Sequence, residues 1–115
     1  MAVSNAESRR TKALRNRLDI ANTIGLILCE IEYHDDEFVQ FDDLLKHSPP
    51  ENLFAHCGSG WEVVLKCKQL LGTYRVECEK HPEIAAEIRI EVQAFSFRLQ
   101  AFTSNLLDAT DRLGC

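Results

Sequence analysis

The sequence predicts an all-α protein: an antiparallel bundle of three long helices, with one or two short helices between the first and the second. Three observations predict it. Over 82–113, Ala85, Ile88, Val92, Phe95, Leu99, Phe102, Leu106, Ala109 and Leu113 alternate at spacings of three and four, which marks one buried helix face. Almost no stretch alternates apolar and polar residues as a strand does. Few residues separate the last two helices, and short connections make antiparallel neighbours.

The first long helix covers about 5–33. Ser4 with Glu7 forms a capping box. Ile20, Ile24, Ile27 and Ile31 recur at four, three and four, and Ala13, Leu14, Ala21 and Leu28 widen the stripe. Gly25 within it costs about 1 kcal/mol relative to alanine, so it is expected to mark a close helix crossing. Asp35 or Asp36 then caps a short helix over 36–47, with Phe38, Phe41, Leu44 and Leu45 on its apolar side. Ser48-Pro49-Pro50 ends it. A helical turn over 50–56 points Leu53 and Phe54 inward and stops at Gly58.

Gly58-Ser59-Gly60 is expected to be a loop, and Ser59 with Glu62 a second capping box opening the helix 60–80. Val64, Cys67, Leu71, Tyr74 and Cys78 form its buried face. Pro82 suits the first position of the last helix, with His81 before it as cap and Gly114 closing it. At about 1.5 Å per residue the last helix spans about 48 Å and its predecessor about 30 Å. The last helix should therefore overhang the one before it, and the first long helix should cover the overhang.

The last helix has a second apolar stripe. At about 100° per residue, Ile90, Ala94, Phe97 and Ala101 cluster opposite the main face. Either segment 36–57 packs behind it, or the stripe is an interface for a partner protein or a second copy.

With 115 residues and 13.1 kDa the chain suits a single domain, 1–115, with one core. The formal charge is −5, which disfavours a globally basic nucleic-acid binder. The charge is uneven. Residues 1–17 hold five bases, Arg9, Arg10, Lys12, Arg15 and Arg17, and one acid, Glu7. Residues 18–47 hold eight acids, concentrated in 30–43, and one base, Lys46. The five bases scatter around the helix, so 1–17 is expected to be a basic arm projecting past the core. Such an arm can stay solvated, grip nucleic-acid phosphates, or meet an acidic protein surface, including the 30–43 region of another copy. No aromatic residue is interleaved to stack bases.

The five cysteines are odd in number and contain no Cys-x-x-Cys pair. The N-terminus is polar and then basic, without an apolar leader. Reduced thiols and an intracellular setting are the expectation. No apolar run approaches membrane-spanning length, so no membrane partner is expected.

Catalytic signatures are missing. There is no His-Glu-x-x-His, Gly-x-Ser-x-Gly or Walker loop. No histidine follows a glutamate by three positions, which excludes a ferritin-like di-iron set. Cys57, Cys67, Cys78 and His81 lack the paired spacing of a zinc knuckle. Asp35–Asp43 places Phe38, Val39 and Phe41 where a calcium loop needs oxygen ligands. The expectation is a non-enzymatic interaction or assembly module without cofactor or metal. It would act through Ile90, Ala94, Phe97 and Ala101. One alternative is a nucleic-acid-associated regulator using the arm. Another is a ligand carrier or enzyme with a site near His56, Trp61 and Tyr74.

Overall fold

The computed structural model describes residues 2–113 and, within the first helix, the side chains of 9, 12 and 14 onward. The Ser4–Glu7 capping box, the side chains of Arg10 and Ala13, Gly114 and Cys115 lie outside the described residues. Three helices account for the fold: α1 (Ala2–His47), α2 (Pro50–Lys80) and α3 (Pro82–Arg112). All three pack on one another around a single apolar core. The connections are Ser48-Pro49 and the single residue His81, so α2 runs antiparallel to both α1 and α3.

The three long helices are as expected, but their limits are not. Segment 36–47 is the C-terminal part of α1, and the turn at 50–56 is the N-terminal part of α2. The reason lies in two seam positions that are not apolar. In α1 the core line runs Ile20, Ile24, Ile27, Ile31, His34, Phe38, Phe41, Leu45. His34 occupies the position where an aliphatic residue would have continued the pattern. It is only 3% exposed. Its Nδ1 is hydrogen-bonded to the Glu37 carboxylate one turn on, and its ring lies 6.5 Å from that of Phe95. A polar group can be buried when it is partnered in this way.

In α2 the line is Leu53, Cys57, Gly60, Val64, Cys67, Leu71, Tyr74. Gly60 sits in the seam itself, and a Cβ there would stand 2.9 Å from Leu106 Cδ1 and 3.7 Å from Phe102 Cζ. The Gly58-Ser59-Gly60 loop is therefore helix, and the close crossing is at Gly60. Gly25 has nothing within 4 Å of such a Cβ. Ser59 is an exposed mid-helix residue, not a cap. The start of α2 relies on Pro50 at its first position after an extended Pro49, with no side-chain cap. Phe54, expected inward, is exposed.

Pro82 does begin α3, with the His81 carbonyl accepting from Ile84 and Ala85 N–H. The His81 side chain makes no capping hydrogen bond. Of the nine apolar positions in the 82–113 pattern, Ala85 through Ala109 are buried and Leu113 is half-buried; Ile84 joins them. Aromatic rings bind α1 to α3: Phe38 stacks between Phe95 at 5.8 Å and Phe102 at 4.8 Å.

Because α2 absorbs residues 50–59, it equals α3 at 31 residues each, and α3 has no overhang. The overhang belongs to α1, which has 46 residues. Its side chains pair with α3 at a fixed offset, Asp35 with Arg98 and Asp42 with Asn105. By that register α3 begins level with residue 19 of α1. The first four turns of α1 extend beyond the hairpin, and the molecule measures 74 × 19 × 18 Å.

Candidate functional site

The outer face of α3 follows from its inner one. A seam at alternating three and four residues fixes one side of the helix to the core. Residues half a turn away must face outward unless a fourth element covers them. Ile90 is 79% exposed and Phe97 61%; Ala101 is exposed and Ala94 half-buried. Segment 36–57 does not pack behind this stripe. Its two halves belong to α1 and α2, and both contribute to the inner core through Phe38, Leu45, Leu53 and Cys57.

The stripe sits in an uncharged band. Between Ala86 and Ser104 the outward positions are Ala86, Ile90, Gln93, Phe97, Ala101 and Ser104. Phe97 also forms one wall of an open groove of about 620 Å³ between α2 and α3. Arg75, Cys78, Glu79, Arg89, Val92, Gln93, Ser96 and Gln100 line the rest, so two guanidinium groups and one carboxylate border the apolar surface.

The basic arm falls on the overhanging end of α1. Arg9, Lys12, Arg15 and Arg17 are exposed and form no ion pair among the described residues. The acidic segment behaves differently. Asp35 accepts from Arg98 Nε at 2.7 Å, Asp42 from Asn105 Nδ2 at 3.2 Å, and Glu30 from the Tyr74 hydroxyl. Part of the acidity thus ties α1 to its neighbours, a structural use the charge count alone does not reveal.

The residues weighed for chemistry do not converge. His56 and Trp61 are half-buried near the start of α2, and Tyr74 is buried thirteen residues further along, about 20 Å away by helical rise. Trp61 Nε1 donates to Thr110 Oγ1 at 3.4 Å. Cys57 and Cys67 are buried seam residues and Cys78 is half-buried; Cys29 is exposed. Burial, with a smaller contribution from the nearby Glu37 carboxylate, pushes the Cys67 thiol up to about 12. Such a thiol is unreactive near neutral pH. Burial and the hydrogen bond to Glu30 likewise push Tyr74 up. Among the described residues, no three His, Cys, Asp or Glu side chains are placed to hold a metal ion, and no helix is long and apolar enough to cross a membrane.

The sequence did point to Ile90 and Phe97, and the structure leaves both uncovered. It gave no sign of Arg75, because the groove that joins it to Arg89 exists only once α2 and α3 are paired. Comparisons with protein families, with curated proteins and with solved structures give no significant match.

Proposed function

We propose that this chain is a non-enzymatic helical interaction module that docks a partner helix on the outer face of α3. The observation that carries the reading is the exposure of Ile90 and Phe97, two turns apart within the uncharged band from Ala86 to Ser104. Large apolar side chains grouped on one exposed face mark interaction surfaces. Their spacing of seven residues matches the anchor spacing by which amphipathic helices lie along one another. Arg75 and Arg89 outnumber Glu79 at the groove's border, a basic excess that favours a partner whose apolar stripe is flanked by Asp or Glu. The free thiols fit an intracellular setting.

The arm supports a nucleic-acid role less well. It has no stacking aromatic, and the same helix turns strongly acidic immediately afterwards.

The test is the double variant Ile90→Asp/Phe97→Asp. Both side chains are exposed, so helical content and melting should change little. Proteins recovered with the native chain should be lost with the variant, and Arg89→Glu should weaken the same recovery. Unchanged recovery and unchanged mass in solution would remove the reading.

A further inference from the structure

α1 carries a second apolar line, separate from its core seam: Leu14, Leu18, Ala21, Gly25 and Leu28, at spacings of four, three, four and three. All five are exposed, Leu14 at 59% and Leu18 at 57%. A repeat averaging 3.5 residues keeps such a line facing one neighbouring helix over its whole length. No helix of this chain is that neighbour. Leu14 and Leu18 lie before the level at which α3 begins, and further along the line a Cβ on Gly25 would meet nothing within 4 Å.

The two ends of the line carry opposite charge. Arg15 and Arg17 flank it among its leucines, with Lys12 and Arg9 beyond. Glu32 continues the line one turn past Leu28, and Asp36 flanks it one turn further on, beside Asp35, which is turned to Arg98. The other acids of this segment have partners inside the bundle: Glu30 holds Tyr74, Asp35 holds Arg98 and Glu37 holds His34. Glu32 and Asp36 are exposed and form no ion pair among the described residues.

We infer that α1 is the contact of a two-fold antiparallel dimer, in which the basic arm of each copy lies along Glu32 and Asp36 of the other. The occupant is a second copy because one helix supplies both halves of the complementarity. A parallel pair would set base against base and acid against acid. An antiparallel pair brings each basic end to an acidic one, and its two-fold symmetry closes the assembly at two. Ala21 and Gly25 fall at the centre, where small side chains let the helices approach. This contact is on α1 and is independent of the partner surface proposed on α3.

Sedimentation equilibrium on the full chain, in reducing buffer over a tenfold concentration range, tests it. The native chain should approach twice 13.1 kDa and shift towards monomer as salt rises. Two variants reverse one end each: Arg15→Glu/Arg17→Glu, and Glu32→Lys/Asp36→Lys. Each alone should be a monomer with native helical content. Mixed in equal amounts, they should restore the dimer mass, because both contacts again join opposite charges. Leu18→Ser, which leaves every charge in place, should also weaken association. A native monomer throughout overturns the inference, as does a dimer that both reversals leave intact. A dimer lost only with Ile90→Asp/Phe97→Asp overturns it too, and assigns self-association to α3.

Discussion

Gly60 shows how much one side chain, or its lack, can decide. The other helical glycines with open surroundings, Gly25, Gly58 and Gly72, have nothing within 4 Å of a built Cβ. Alanine at Gly58 or Gly72, outside the contact inferred for α1, removes only the helix penalty of glycine, so each is expected to gain about 0.5–1 kcal/mol. At Gly60 the same methyl meets Leu106, which is fully buried. Overpacking costs about 1–3 kcal/mol, which exceeds the gain. Gly60→Ala should therefore fall about 1 kcal/mol below the native chain in urea unfolding, and a gain equal to that of Gly58→Ala would show that the α2–α3 crossing is looser than the structure has it. His34 is the polar counterpart. Its burial rests on Glu37, and Glu37→Ala leaves an unpartnered ring nitrogen in the core, at a cost of about 1–3 kcal/mol.

At the scale of elements, the continuity of α1 and α2 is the property most open to test. Ser59 is exposed and makes no side-chain hydrogen bond among the described residues, yet it lies inside α2. Were 58–60 a loop, proline at Ser59 would be tolerated. Within a helix it removes a hydrogen bond and clashes with the preceding turn, for about 3 kcal/mol or more. Ser59→Pro is expected to lower the melting temperature sharply, while Pro50→Ala, at a position where proline is merely well suited, should do little. Cross-helix polar contacts add less. The Asp35–Arg98 pair is partly exposed, and such pairs contribute about 0–1 kcal/mol. The helices are held chiefly by the Phe38–Phe95–Phe102 stack and the aliphatic seams around it.

The whole molecule is a rod. Its radius of gyration of 20.0 Å far exceeds the roughly 13 Å of a compact chain of this length. The excess comes from helices of 46, 31 and 31 residues lying side by side. Since the first four turns of α1 touch neither α2 nor α3 by register, deleting residues 2–17 should leave the bundle's unfolding free energy in high salt nearly unchanged. A large loss would place the arm in the core. The pH response is also a property of the whole fold. Cys67 and Tyr74 are both held protonated, against ordinary values of 9.0 and 10.0. The folded chain thus binds more protons than the unfolded one in this range, and stability is complete below about pH 9 and declines as pH rises. Melting temperature should fall between about pH 9 and pH 11, and Tyr74→Phe should flatten part of that decline.

The all-α class, the seam of 82–113 and the grouping of Ile90 and Phe97 opposite that seam were legible because each depends on a helix's own periodicity. Apolar side chains at alternating three and four residues can share a face only on a helix, whatever packs against them. The unbroken α1 and α2 were not legible in the same way. His34 and Gly60 interrupt the apolar pattern, and what makes them core residues comes from elsewhere in the chain: the Phe95 ring for one, the Leu106 side chain for the other. The overhang also waited on the fold, since it is the difference between helix lengths that these two positions control. The sequence by itself determined which residues want burial. Only the tertiary structure decided which polar or missing side chains the core would accept and which apolar faces stayed uncovered. Both depend on atoms brought together across tens of residues, and local spacing carries no record of them.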